Sequence, residues 1–188
     1  MMGRSAVLVA MAGIWAACTG GAAPERAVGG LLLEPPADAD GLQLSLHAPP
    51  GLDAASRRCH LAIMPGGDGI DLEAIEHRLS DGTAQVRLSH TDLDVDAAWQ
   101  NAGLALCEDL DAHAGPVAYA SDEAAGGVSL PTGVALHFAP LEVVLLEARF
   151  DASAGAAGDE ARINLWFAQS PPTTRTEVAL GGDVSSGQ

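Results

Sequence analysis

Three kinds of side chain in this chain have types suited to a chemical site: three Cys, six His and one run of alternating carboxylates. The six His (His47, His60, His77, His90, His113 and His137) include no adjacent pair and no His-x-His, so no two imidazoles leave the chain together. One local cluster has metal-ligand character: His90, Asp92, Asp94 and Asp96, in the stretch His90-Thr91-Asp92-Leu93-Asp94-Val95-Asp96. Its carboxylates begin like a loop that surrounds Ca²⁺ with hard oxygen ligands. Ala97 then stands where such a loop turns on Gly, and Gly103 where it needs a bidentate Glu. The expectation is therefore a solvated strand end or surface loop, with these four residues as weak cation candidates. His60 and His77 would converge if their strands paired, but the neighbouring Cys59 is unavailable as a thiolate if it is in a disulfide. His137, beside Phe138, reads as a partly buried structural His. Gly66-Gly67-Asp68-Gly69 reads as a turn, because it lacks the Lys-Ser/Thr that completes a phosphate loop. No Gly-x-Ser-x-Gly nucleophile motif occurs. No constellation argues for catalysis.

The remaining cysteine, Cys18, has a different context. Arg4 supplies a short positive region, and Ser5 to Ile14 form an apolar stretch of roughly ten residues, the size of a signal-peptide core and too short to span a bilayer. Trp15-Ala16-Ala17-Cys18 closes it and resembles the bacterial lipobox, in which the Cys is lipidated and becomes the first mature residue; Trp15 replaces the usual aliphatic residue. The expectation is a signal peptide over residues 1–17 and a lipid-anchored Cys18. Residues 18–40 would be a flexible tether, given Thr19-Gly20-Gly21-Ala22-Ala23-Pro24. Acyl chains contribute about 0.8 kcal/mol per buried CH₂, and two or more hold a protein stably on a membrane. Such a protein belongs in the bacterial cell envelope, exported and anchored on the periplasmic side or to the outer membrane, with the membrane as its partner.

The formal net charge is −16, and all nine basic residues are Arg. A balance so acidic argues against nucleic-acid backbones as partners. Once Cys18 is set aside, Cys59 and Cys107 remain, and two cysteines in an exported domain most simply form one disulfide.

The elements that must position these residues read as short strands. Leu42, Leu44 and Leu46 alternate with Gln43, Ser45 and His47, ahead of Ala48-Pro49-Pro50-Gly51. Cys59, Leu61 and Ile63 alternate with Arg58, His60 and Ala62. Val86 and Leu88 alternate with polar neighbours, as do Ile163, Leu165 and Phe167. Val143 to Phe150 is the longest apolar run. Leu72, Ile75 and Leu79 have helical spacing but are flanked by Gly and Asp turns that also permit a strand. Asp96 to Leu110 fits a short helix or a long loop. Many short strands divided by Gly, Pro and Asp predict an all-β fold, a single antiparallel β-sandwich of jelly-roll type, over residues 41–170. Residues 171–188 are polar and rich in Pro, Gly, Ser and Thr, so a disordered end is expected.

Within this span the chain resembles the N-terminal domain of the copper type II, ascorbate-dependent monooxygenases, the family of the peptidylglycine alpha-hydroxylating and dopamine beta-monooxygenases. Leu130-Pro131-Thr132-Gly133-Val134-Ala135-Leu136 is similar to the family's LPxGVGF, and Val143 to Phe150 to its xxVLQVHY. Val117-Ala118-Tyr119-Ala120 looks like its LYAW strand, and Leu79 to Leu88 like MTPGSHHMLL. Cys59 and Cys107 fall where the family's strand cysteine and its disulfide partner are expected.

The resemblance implies copper held by the His-His pair of one motif and the His of another. The matching positions are Ala84, Gln85 and Arg149, so all three imidazoles are missing. Copper in such sites needs neutral ring nitrogens in fixed geometry. Ala84 has no donor atom, Gln85 has a weak amide oxygen, and Arg149 carries a permanent charge. At about 4 Å and an effective dielectric near 20, that charge repels each unit of metal charge by roughly 4 kcal/mol. The second sandwich of the family, with its His-x-His pair and Met, has no counterpart after His137. The expectation is a non-catalytic envelope lipoprotein, a binding or structural module without a cofactor. The alternative is a copper-dependent monooxygenase-related protein, or an accessory subunit of a two-domain oxidoreductase.

Overall fold

The computed structural model describes residues 33–48, 55–100, 107–151 and 159–176. The expected signal peptide, Cys18 and the first part of the tether lie outside them, as do residues 177–188. The strands are β1 (Gly41–His47), β2 (Ser56–Ile63), β3 (Ile70–Leu79), β4 (Thr83–Thr91), β5 (Ala114–Ser121), β6 (Ala125–Ser129), β7 (Val134–Phe138), β8 (Val143–Phe150), β9 (Glu160–Phe167) and β10 (Thr174–Thr176). Between β4 and β5 come two short helices, α1 (Val95–Gln100) and α2 (Cys107–Leu110), and a 3₁₀ turn at Asp111–His113.

The pairing shows how the chain winds. β1 pairs with β9, β2 with β8, β3 with β7, and β4 with β5, each antiparallel. The chain is thus one long folded-over ribbon whose tip lies between β4 and β5. Rolling that ribbon puts alternate pairs into opposite sheets. Sheet A has the order β1-β9-β3-β7-β10, with β6 also on β3, and sheet B has the order β2-β8-β4-β5. This is a jelly-roll β-sandwich. The one parallel pairing joins β10 to β7.

The core lies between the sheets, where period-two alternation delivers it. Val144, Leu146, Ala148 and Phe150 of β8 meet Ile163 and Leu165 of β9 and Leu72, Ile75 and Leu79 of β3. The helical spacing of that last trio has a simple cause. β3 carries a register shift between Leu72 and Ala74. An extra residue in a strand turns a spacing of two into three, and His77 occupies the inward place between Ile75 and Leu79, 2% exposed.

The long apolar run of β8 is explained by burial on both faces. Val144 and Leu146 point into the main core, whereas Leu145 joins Cys59, Cys107 and Leu110 in a second cluster on the outside of sheet B. The α1–α2 excursion folds over that face and is tied down by a disulfide between Cys59 and Cys107, 48 residues apart.

Two described segments, residues 33–40 and β10, flank sheet A. From Leu33 the N-terminal segment lies against the sheet, because Gln43 Nε2 donates to the Leu33 carbonyl (3.0 Å) and Asn164 Nδ2 to the Glu34 carbonyl (2.7 Å). Gly41 is required there, since a Cβ would stand 2.3 Å from the Leu165 carbonyl oxygen. Residues 33–40, assigned to the tether by composition, are therefore pinned. Likewise the polar tail starts as β10 before leaving the described residues. Its Thr and Arg side chains mimic a loop in composition, but a three-residue edge pairing needs only backbone.

Candidate functional site

Ala84, Gln85 and Arg149, the positions matched to copper ligands by the resemblance alone, are neighbours in the fold. On the outer face of sheet B, Gln85 of β4 lies directly opposite Arg149 of β8, and Ala84 occupies the irregularity between Thr83 and Gln85. Arg57 of β2 lies opposite Arg149 on its other side. One row across three strands therefore reads Arg57, Arg149, Gln85, and the next reads Cys59, Glu147, Arg87. Directly paired residues share a face.

The charges in this patch are unevenly satisfied. Arg57 donates from Nε to Glu147 Oε1 (2.9 Å) and from Nη2 to Glu147 Oε2 (3.2 Å). It also donates from Nη1 and Nη2 to Asp111, at 3.1 and 2.5 Å. The Asp111 hydrogen bond, reinforced by Glu147, pushes the Arg57 guanidinium above its usual range, and the Arg57 bond holds Asp111 below the usual carboxylate range. This ion network ties the 3₁₀ turn to sheet B beside the disulfide. Arg87 Nε donates to Ser89 Oγ (3.1 Å). Arg149 is exposed, and among the described residues neither its side chain nor that of Gln85 makes a hydrogen bond or ion pair.

The weak cation candidates do not assemble. The His90 Nδ1 pairs with Glu142, and its ring stacks on Phe138 at 4.8 Å between centroids. Asp92 pairs with His113 (2.8 Å). Asp94 accepts from the Ala97 amide (2.7 Å), closing the start of α1 as a helix N-cap. Alternating Asp residues thus serve separate local tasks that a one-dimensional pattern cannot separate. Among the described residues no group of three or more His, Cys, Asp or Glu could hold a metal ion. His60 and His77 sit in different sheets, so the pairing that would bring them together does not form.

Two His networks had no signal in the sequence. His77 accepts at Nδ1 from the Tyr119 hydroxyl (2.6 Å) and donates from Nε2 to the Glu123 carbonyl (2.8 Å), the tautomer those partners require. It bridges the two sheets through the core, and burial pushes the Tyr119 phenol above its ordinary pKa. On the outside of sheet A, Asp71 binds His137 Nδ1 (2.7 Å) and receives two bonds from Arg175 (2.9 and 2.8 Å). The Arg175 bonds, then His137, hold Asp71 below the usual carboxylate range. Both networks join strands that meet only in three dimensions.

A groove of about 310 Å³ lies over β3 and β6, lined in part by Leu33, Glu76, Arg78, Gly126 and Gly127. Glu76 is already engaged, accepting from Trp166 Nε1 (3.0 Å). On the inner face of the edge strand β2, Ser56 Oγ and Arg58 Nε are buried without a hydrogen-bond partner, an unfavourable state for polar atoms.

No protein-family model matches this chain, and no curated protein is similar to it at a significant level. No helix among the described residues is long and apolar enough to cross a membrane.

Proposed function

We propose that this chain is a non-catalytic lipoprotein of the bacterial cell envelope, anchored through Cys18, whose β-sandwich serves as a binding or structural module. The domain resembles the copper-binding half of a type II monooxygenase in motif order and has no copper ligands at the matching positions. The observation that carries the reading is the pairing of Gln85 with Arg149 beside Ala84. Positions far apart in sequence form one patch there, and that patch offers an amide and a guanidinium in place of imidazole. A cation placed among such groups meets positive charge and hydrogen-bond donors, the reverse of what a metal requires. Fold alone does not transfer activity, so the monooxygenase reaction is not assigned to this chain.

The test has two parts. Purified full-length protein, exposed to copper and then dialysed against a chelator, retains less than stoichiometric copper while keeping its β spectrum. Tightly held copper would overturn the non-catalytic reading. In cells, metabolic labelling with a fatty acid marks the wild type and not Cys18→Ser, and labelling that survives the substitution would overturn the anchor.

A further inference from the structure

We infer that the outer face of sheet B carries an oxyanion site centred on Arg149, with the Gln85 amide as its second donor. The inference deepens the binding-module reading by naming a ligand class. Its geometric basis, however, is independent of the family resemblance.

Arg149 and Gln85 carry donors that nothing among the described residues fills. A guanidinium presents five N–H groups in a rigid fork that matches two oxygens of a carboxylate or phosphate. Arg57 shows what this face does with such a group when an internal acceptor exists: its fork is filled by Glu147 and Asp111. Arg149, directly across from Arg57, has neither. Glu147 lies two residues back on the same strand and face, yet both of its oxygens are taken by Arg57. Asp151 lies two residues on, and no hydrogen bond or ion pair joins it to Arg149. With Glu147 and Asp111 committed to Arg57, the Arg149 fork across from it is left to solvent or a ligand. Gln85, on the other flank of Arg149, also lacks a partner and brings two further N–H donors. A small anion bridging Arg149 and Gln85 would fill the donors of both.

The site is open, so the ligand is the oxyanion group itself rather than a molecule enclosed on all sides. Carboxylate and phosphate share the required pair of oxygens. The overall charge of −16 opposes any anion at long range. At an ionic strength of about 0.1 M that field is screened beyond about 10 Å, whereas the contact hydrogen bonds persist.

The experiment titrates the full-length, ¹⁵N-labelled protein at about 0.1 M ionic strength with inorganic phosphate and, separately, with acetate. The Arg149 Nε–H and Gln85 side-chain amide signals are followed by nuclear magnetic resonance. Saturable shifts of both signals with either probe are expected, and the probe that binds identifies the preferred oxyanion. Arg149→Gln should weaken binding by at least about tenfold, the equivalent of one charge-assisted hydrogen bond. Because the exposed Arg149 side chain makes no hydrogen bond or ion pair among the described residues, that variant keeps the wild-type backbone spectrum. Absence of saturable shifts with both probes, or unchanged affinity in Arg149→Gln, overturns the site. Copper retention is a separate readout, so failure of this inference is distinguishable from failure of the non-catalytic reading.

Discussion

The two outer faces of the sandwich solve the same problem in opposite ways. A sheet that packs one side against a core must do something with the polar side chains on the other. Sheet A uses the segments that precede β1 and follow β9. The segment from Leu33 lies over β1 and β9, so Asn164 is fully buried with both amide atoms bonded. At the far edge β10 brings Arg175 to Asp71 and His137. Sheet B is covered on one half only, by the disulfide-tied helical excursion over Leu145. Its other half ends in Arg149 and Gln85 without partners. The difference teaches that covering an outer face consumes its donors, whereas an uncovered face leaves them open to solvent.

The largest test of this contrast removes the tie. A Cys59→Ala, Cys107→Ala double variant should lose about 4 kcal/mol, the loop-closure contribution of a crosslink spanning 48 residues. Denaturant unfolding measures it, and amide exchange should show the loss first around Leu110 and Leu145 while the Asp40 and Gly41 amides stay protected. Uniform loss of protection would mean the covers are not separate.

Next comes the strap on sheet A. Asn164→Ala strips the Gln43 amide and the Glu34 carbonyl of their partner, which should cost about 1–3 kcal/mol. Amide exchange at Asp40 and Gly41, whose N–H groups bond to the Ala37 carbonyl, should accelerate, with sheet B unaffected. Comparable in size, Tyr119→Phe leaves the buried His77 Nδ1 without a donor and should cost about 1–3 kcal/mol. A change below about 0.3 kcal/mol in the same unfolding assay would show that the inter-sheet bond is idle.

A smaller effect belongs to the β10 clasp. Asp71 has a lowered pKa when folded, so its contribution is fully present above the unfolded value, near 3.9, and is lost as pH falls through the folded one. Amide exchange of β10 should therefore quicken on acidification below about pH 4 and not between pH 5 and 7. In Asp71→Asn that acid response should vanish.

The smallest effect on stability is expected at Arg149. Arg149→Gln should alter unfolding free energy by less than about 0.5 kcal/mol, as for a surface substitution away from special features. A loss above about 1 kcal/mol would show that Arg149 has an internal partner and would erase the contrast between the faces.

Much of the fold was legible because its signals are local. Alternation placed Leu42, Leu44 and Leu46, Val86 and Leu88, and Ile163 and Leu165 on strands, and the cysteine count led to one disulfide. The Leu72-Ile75-Leu79 spacing was ambiguous because a bulge imitates a helical period. The His90-to-Asp96 run resembled a cation loop because sequence records carboxylates without their partners. In the fold those partners are an amide at Ala97, His113 and, for His90, Glu142.

What the chain's order of residues determined by itself was the element type, the sandwich class and the absence of imidazole at Ala84, Gln85 and Arg149, since periodicity and residue identity are properties of the chain. Only the tertiary structure decided which distant residues became neighbours: Gln85 and Arg149 with Arg57, His77 with Tyr119, Asp71 with Arg175. The reason is physical. Strand register and the winding of the ribbon are chosen by the burial of the whole core together, and no local segment contains that information.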